Sequence, residues 1–432
     1  MPLPAPLARL QTLARSPALA AYGIKAATAV VSFVVTTLIA RMAGAEVVGF
    51  YGLAVVTATI LGLVSLHGLD IILLRDMSGD LRQGLTGAAR GALGFAVRSV
   101  GVAMAVVTVL YLAAVASDRV ALSMETDHAS LLAAAIGIGS VAAFRLGLAS
   151  LRALGQPVAS QFSEGAASFV LALILTAMWA TESDISAALA VVLFFGSQLV
   201  VAGVIALIIR RRTRDWAPAT PTDSARMRKA GFPIMAIQTM QMLQDWLLFV
   251  LVGGAVSAVA VGALRVAMQV VMVISIVVST GENYLGAKVA GDLRIGRPDL
   301  VWRRHRRATL AMAVLLGPLV LVCILMPTQL LGTAFGPEFV IAGPALAIMA
   351  AGQATKIATG PIGGLMAMSG HERWLLRFTI ASLAILVGLA VWLVPLYGLV
   401  GAAIAQAVSV TCRNVAAYVT ATKLIPKVAV VE

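Results

Sequence analysis

Long apolar runs follow one another along the chain, separated by short polar or charged segments. A helix that crosses the hydrocarbon core of a membrane needs about 20 mostly apolar residues, and this pattern recurs twelve times. The predicted spans are residues 19–40, 47–70, 91–116, 130–152, 157–180, 185–209, 231–253, 257–282, 308–330, 340–367, 376–396 and 399–422. We therefore expect an all-α polytopic membrane protein with twelve transmembrane helices.

The composition of the 432 residues supports a membrane protein and gives no sign of an enzyme. Hydrophobic residues make up 60% and charged residues 12%, whereas about 25% charged residues is usual in soluble domains. The sequence has no Gly-rich phosphate-binding loop, and its four His and two Cys residues lack the spacing of a metal site. Residues 1–18 lack the apolar core of a secretory signal, so we expect no cleavage. Neither catalysis nor a bound cofactor is predicted.

Lys and Arg are distributed unequally between the two sides of the predicted spans. With a cytoplasmic N-terminus, 24 of the 32 Lys and Arg residues lie in the termini and cytoplasmic loops, two lie in external loops and six lie inside spans. Cytoplasmic loops of membrane proteins are rich in Lys and Arg, so both termini are predicted to be cytoplasmic, in the inner membrane. The same bias explains the net charge of +13, and no nucleic-acid partner is expected.

The chain also contains a weak internal repeat. Residues 79–84 (Gly-Asp-Leu-Arg-Gln-Gly) match residues 291–296 (Gly-Asp-Leu-Arg-Ile-Gly). Gly49 matches Gly262, and these two glycines are separated by almost the same number of residues as the two segments. Six predicted helices separate the copies, so both halves have the same orientation in the membrane. We predict two pseudo-symmetric six-helix lobes, residues 1–212 and 231–432, joined by a cytoplasmic linker at residues 213–230. Transporters of this build bind substrate between the lobes.

Six cations interrupt predicted spans, where a charge is costly unless it faces protein or water. They are Lys25, Arg98, Arg145, Arg265, Lys356 and Arg413. Lys25 and Arg98 lie near cytoplasmic ends, where a long side chain can also reach the interface. For the deeper residues the alternative is an internal salt bridge that joins two helices. All except Arg98 are predicted to line a cationic, substrate-binding cavity.

Carboxylates within the spans are candidates for coupling transport to a proton or sodium gradient. Glu164 and Asp245 are the best placed, because an acid in apolar surroundings can take up a proton on one side and release it on the other. The alternative is that either acid neutralises one of the deep cations. Asp70 and Glu282 lie close to cytoplasmic ends, where contacts with neighbouring cations such as Arg75 would explain them.

The tenth span is interrupted directly after Lys356. Residues 359–364 read Thr-Gly-Pro-Ile-Gly-Gly, and Pro361 removes one backbone donor from the helix. We predict a kink or hinge at Gly360 and Pro361, beside a buried charge. The alternative is that the glycines only permit close packing of helices.

Four segments resemble those of a known family. They are residues 38–44 (Leu-Ile-Ala-Arg-x-x-Gly), 48–54 (Val-Gly-Phe-Tyr-Gly-Leu-Ala), 335–339 (Phe-Gly-Pro-Glu-Phe) and 394–403 (Val-Pro-Leu-Tyr-Gly-Leu-Val-Gly-Ala-Ala). This pattern is similar to that of polysaccharide-repeat flippases of the multidrug/oligosaccharidyl-lipid/polysaccharide (MOP) exporter superfamily. The resemblance implies a V-shaped, MATE-like pair of lobes that moves polyprenyl-diphosphate-linked oligosaccharide to the outer leaflet by alternating access. It assigns no individual functional residue.

The charge of the predicted cavity ranks the possible functions. Arg and Lys pair well with phosphate oxygens, so a flippase for an anionic lipid-linked oligosaccharide comes first, with a polymerase and glycosyltransferases as pathway partners. A MATE-type, ion-coupled exporter comes second, because a basic cavity repels the organic cations that such exporters move. A membrane-embedded glycosyltransfer enzyme comes third, because the chain lacks large polar loops.

Overall fold

A computed structural model shows a helical membrane protein. It describes residues 17–117, 127–294, 298–369 and 371–425, and within these ranges it contains no β-strand. Ten of the described helices are long and apolar enough to cross a membrane. The prediction of an all-α polytopic fold is therefore confirmed.

Two of these ten helices are interrupted by a glycine in a non-helical conformation. Helix α1 (Pro17–Leu66) is interrupted at Gly44, where φ is 76°, and the last helix (Glu372–Leu424) at Gly398, where φ is 54°. A straight helix of 50 residues would be about 75 Å long, more than twice the hydrocarbon thickness of about 30 Å. Each of these helices thus supplies two apolar segments, which brings the described total to the twelve that the sequence predicts.

The chain divides into two compact units, which are described separately. Unit 1 comprises residues up to Ala43 and Phe50–Trp246. After α1 it contains α2 (Leu69–Arg82), α3 (Thr86–Ala116), α4 (His128–Ala153), α5 (Pro157–Ala180), α6 (Ala187–Arg212) and the first part of α7 (Ser224–Ala255). Helices α4 and α6 pack closely: a Cβ at Gly137 would overlap the ring of Phe195, and the Ser140 hydroxyl donates to the Phe195 carbonyl at 2.9 Å.

Helix α2 was not predicted from the sequence. The predicted second span ran to residue 70, but the membrane helix ends at Leu66, and α2 begins after Gly68, which has a φ of 69°. Leu69, Ile72, Leu73 and Met77 of α2 are buried in the core of unit 1. An apolar stripe of this kind with polar residues opposite is typical of a helix that packs by one face, which a search for continuous apolar runs does not detect.

Unit 2 comprises Gly44–Gly49 and Leu247–Glu432. Its helices are α8 (Ala258–Arg294), α9 (Pro298–Leu325), the short α10 (Pro327–Ala334), α11 (Gly343–Thr359), α12 (Ile362–Met368) and α13 (Glu372–Leu424), with a 3₁₀ turn at Pro337–Ala342. Helix α9 begins ten residues before the predicted span at 308–330, so the basic run at residues 303–307 is helical. The predicted linker at 213–230 leads into α7, and the division between the units lies further along that helix, after Trp246.

The segment Gly44–Gly49 is fixed in unit 2 by a carboxylate and by close backbone contacts. The Ala45 N–H donates to Glu338 Oε2 at 2.8 Å, so the acid of the 335–339 segment caps the helix that restarts after Gly44. Gly49 lies on the carbonyl of Ala258, and Gly262 lies on the carbonyl of Ala45. The two glycines that the repeat pairs therefore pack reciprocally. Gly49 contacts the residue four positions before Gly262, and Gly262 contacts the residue four positions before Gly49.

Replacement of Gly262 by Ala tests whether this close contact is required. The added Cβ would overlap the Ala45 carbonyl oxygen, so the helices must separate, and overpacking of this kind costs about 1–3 kcal/mol. Gly388→Ala is the matched control, because a Cβ at that helical position meets no atom within 4 Å. Thermal unfolding of the purified variants in detergent should show a lower Tm for Gly262→Ala alone. An unchanged Tm would show that the contact is loose.

Candidate functional site

Lys356 lies in a polar contact between two helices of unit 2. Its Nζ donates to Ser275 Oγ at 3.2 Å, and Ser275 Oγ donates to Gln353 Oε1 at 3.5 Å. Gln353 lies one turn before Lys356 on α11 and is buried, while Lys356 itself is half-buried. Ser275 and Gln353 are polar and uncharged, and the hydroxyl of Ser275 orients the ammonium group.

Arg413 lies at nearly the same depth as Lys356. A Cβ at Gly352 would lie 2.8 Å from the Cα of Ala407, and the hydroxyls of Thr355 and Thr411 are 3.2 Å apart. From the first contact to the second, the residue numbers increase on both α11 and α13, so the two helices run parallel here. Lys356 and Arg413 follow these contacts directly and are within about one helical turn, 5.4 Å, of each other in depth.

Arg265 lies at a different level of unit 2. It is half-buried on α8 and precedes Ser275, the partner of Lys356, by ten residues. At 1.5 Å per residue this separation is about 15 Å along the helix. The structure therefore brings Lys356 and Arg413 to one level and places Arg265 well away from it.

The remaining predicted cations belong to unit 1. Arg145 is half-buried on α4, between the buried Phe144 and Leu146, and in the described part of the chain its guanidinium has no hydrogen bond or ion pair. Arg98 is exposed, and its Nε donates to the Gly94 carbonyl at 3.2 Å. That bond turns the side chain back toward the start of α3, the direction that reaching the interface requires. Lys25 lies in α1, and its side chain is outside the described part of the structure.

The two acids predicted for ion coupling differ in exposure. Glu164 is exposed on α5 and forms no ion pair with any described residue, so its predicted alternative role in an internal salt bridge is not observed there. Asp245 is half-buried on α7, next to Trp246, whose indole N–H donates to Thr57 Oγ1 at 3.0 Å. The coupling role of both acids stays a prediction.

Asp70 does not make the contact that the sequence suggested. Arg75 pairs instead with Asp76, Nε to Oδ1 at 2.9 Å, and Arg226 from the start of α7 binds the other oxygen of Asp76 at 2.7 Å. Asp70 is buried at 5% exposure, and its Oδ1 has no hydrogen-bond partner among the described residues. The side chain of Glu282 lies outside the described part of the structure.

The interruption after Lys356 is visible as a break between α11 and α12. Helix α11 ends at Thr359, Gly360 has a φ of 66°, and α12 begins at Ile362. The break frees the Thr359 carbonyl, and His305 of α9, which is buried, donates to it from Nε2 at 3.0 Å. The sequence showed His305 as part of a basic run and gave no sign of this role. Whether Gly360 and Pro361 act as a hinge stays a prediction.

A comparison with protein families identifies the group to which this chain belongs. A family model described as polysaccharide biosynthesis protein matches residues 19–281, more than half of the chain. The chain belongs to the polysaccharide biosynthesis protein family. This agrees with the resemblance found in the sequence, and no curated protein matches the chain.

Solved structures show that this family member has the MOP fold. The lipid II flippase MurJ, in an inward closed conformation, has a TM-score of 0.74 at 10% identity, covering 92% of this chain and 86% of its own. An inward-facing MATE family multidrug resistance transporter has a TM-score of 0.71 at 13% identity, with 94% and 98% covered. A MOP superfamily transporter from Pyrococcus furiosus has a TM-score of 0.61 at 15% identity, with 95% and 96% covered. These relatives are transporters and a flippase, not enzymes.

Replacement of His305 by Ala tests its role at the helix break. The change leaves the buried Thr359 carbonyl without its donor, which costs about 1–3 kcal/mol. His305→Gln is the matched control, because an amide N–H can replace the imidazole donor. Thermal unfolding in detergent should show a larger loss of stability for Ala than for Gln. Equal Tm values for the two variants would contradict the assigned hydrogen bond.

Proposed function

We propose that this protein is a flippase for polyprenyl-diphosphate-linked oligosaccharide repeat units. It moves the repeat unit from the cytoplasmic to the outer leaflet of the inner membrane by alternating access, for the synthesis of a surface polysaccharide. The membership in the polysaccharide biosynthesis family carries this proposal, and the fold shared with a lipid II flippase supports it. The substrate arrives from glycosyltransferases and leaves to a polymerase of the same pathway.

The substrate diphosphate is bound by cations of the membrane-spanning helices. Lys356 and Arg413 lie at one level of unit 2, and Arg145 is a half-buried cation of unit 1. Charge-assisted hydrogen bonds from such groups replace the water that a diphosphate loses in the membrane. Lys25 makes a further contact with the diphosphate, and Arg265, about 15 Å along α8 from Ser275, contacts the sugars of the headgroup. The prenyl tail stays in lipid, and the sugars occupy the aqueous cavity.

Ser275 and Gln353 fix the position of one of these cations. Ser275 accepts from the Lys356 ammonium and is itself held by Gln353, so less side-chain entropy is lost when the phosphate binds. The nearby break at Gly360 allows α11 to change direction beside this charge when the protein changes state. Both termini lie in the cytoplasm, as the distribution of Lys and Arg indicates.

A MATE-type ion-coupled multidrug exporter is the second candidate. The observation that favours it is the similarity of fold to MATE family multidrug transporters, with TM-scores up to 0.71. The family match and the excess of cations over acids in the spans favour the flippase. An exporter would change the drug tolerance of a cell, whereas a flippase would restore its surface polysaccharide.

Loss of the guanidinium at Arg145 or Arg413 should abolish function. In a cell that lacks its polysaccharide flippase, Arg145→Ala and Arg413→Ala should restore surface polysaccharide at least about tenfold less than the wild type, because a hydrogen bond to a charged group contributes about 1.5–3 kcal/mol. Lys at either position should keep part of the activity. The control is Arg377→Ala, an exposed residue that stacks on Trp374. Full activity of Ala variants present at normal membrane levels would reject the site.

Coupling to an ion gradient is tested by removing the gradient. Transport by the wild type in vesicles should stop when the coupling gradient, of protons or of sodium, is collapsed with an ionophore. If Glu164 or Asp245 carries the ion, Glu164→Gln or Asp245→Asn should give slow transport that no longer depends on the gradient. Unchanged gradient dependence in both variants would exclude these acids.

A further inference from the structure

Unit 1 contains a groove lined by α3, the first part of α7 and the end of α1. Its volume is about 750 Å³, within the range of about 300–1,000 Å³ usual for small-molecule sites. The lining is charged at one end and apolar along the rest. The groove is separate from Arg145, Lys356 and Arg413, none of which lines it.

Two arginines form the charged end. Phe95 and Arg98 are three residues apart and share a face of α3, and the guanidinium carbon of Arg228 of α7 lies 5.7 Å from the centre of the Phe95 ring. Both cations therefore lie within about one turn of α3, beside His67. Among the described residues neither arginine forms an ion pair with a carboxylate. The groove thus offers two positive charges to an anion.

The apolar part begins one turn deeper. Val102 and Val106 follow Arg98 along α3 and are 67% and 52% exposed, and Phe232 follows Arg228 along α7 and is 64% exposed. All three line the groove. Exposed apolar side chains of a membrane-spanning helix face lipid or an apolar ligand. Since α3 and α7 advance together along the groove, its charges lie toward the helix starts and its apolar walls toward the bilayer centre.

We infer that this groove binds an anionic phospholipid, with the phosphate at Arg98 and Arg228 and an acyl chain along Val102, Val106 and Phe232. The leaflet is the one on the side where α3 and α7 begin, which the proposed orientation makes cytoplasmic. That leaflet is rich in anionic lipid, and basic pockets between transmembrane helices bind such headgroups. A bound lipid ties α7 to α3 through its two arginine contacts.

The lining selects a phospholipid over the proposed transport substrate. An oligosaccharide carries many hydroxyls, and each needs a hydrogen-bond partner when it leaves water. Beyond the two arginines, His67 and Ser99 are the polar side chains that line the groove among the described residues. The walls therefore suit an acyl chain with a compact phosphate head. The site is independent of the proposed flippase function, and a failure of either leaves the other standing.

Lipid binding to the full-length protein in detergent tests this site. Phosphatidylglycerol and phosphatidylcholine are added separately, and bound lipid is counted by native mass spectrometry. The wild type should bind phosphatidylglycerol at least about tenfold more tightly than phosphatidylcholine. Arg98→Gln with Arg228→Gln should remove this preference, and Arg98→Lys with Arg228→Lys should keep most of it. The matched control is Arg377→Gln, another exposed arginine stacked on an aromatic ring, which should behave as the wild type.

Several outcomes would overturn the inference. Equal binding of the two lipids, or an undiminished preference in the double Gln variant, would show that Arg98 and Arg228 do not select the headgroup. If undecaprenyl diphosphate bound through these arginines and phosphatidylglycerol did not, the groove would belong to the transport substrate. If the Gln variant fails to fold, phosphatidylglycerol with a photoreactive acyl chain tests in the wild type whether the acyl chain occupies the groove. Labelling at Val102, Val106 or Phe232 supports the site, and labelling that avoids all three rejects it.

Discussion

A charged side chain is stable within a membrane only where protein groups or water replace the solvation that lipid removes. Lys356 donates to the hydroxyl of Ser275, which in turn donates to Gln353. The Ser275 hydroxyl lowers the cost of holding the half-buried ammonium in the membrane. Arg413 at a similar depth adds a second cation of the same unit. These two cations are the physical basis on which we propose a phosphorylated substrate.

The segments that resemble other family members serve the fold, while the proposed chemistry lies elsewhere. Glu338 of residues 335–339 caps the helix at Ala45, and Gly49 packs on the backbone near Gly262. These contacts demand a carboxylate or the absence of a side chain, so they identify the fold without identifying the cargo. The cations that we assign to the cargo stand outside those segments. This explains how one fold accommodates drug transporters and a lipid II flippase.

The sequence predicted the number and type of the membrane helices because a bilayer imposes a length on every apolar run. It did not predict α2, whose apolar residues cover one face and never form a continuous run. It also grouped Arg265 with Lys356 without showing that about 15 Å of α8 lies between Arg265 and the serine that binds Lys356. The depth of a residue within one helix can be counted from the sequence. The alignment of neighbouring helices cannot, because it depends on contacts such as that of Gly352 with Ala407. The role of His305 depends on another helix and was equally hidden.

The most direct test of this account is the transfer of a lipid-linked sugar across a membrane by the purified protein. Liposomes containing the full chain and a fluorescent polyprenyl-diphosphate-linked oligosaccharide should move the label between leaflets, as measured by its accessibility to a quencher that cannot cross the membrane. A variant in which Lys356 and Arg413 are both replaced by Gln should lose this activity while remaining folded. Equal transfer by the wild type and this variant would contradict the claim that these cations bind the diphosphate.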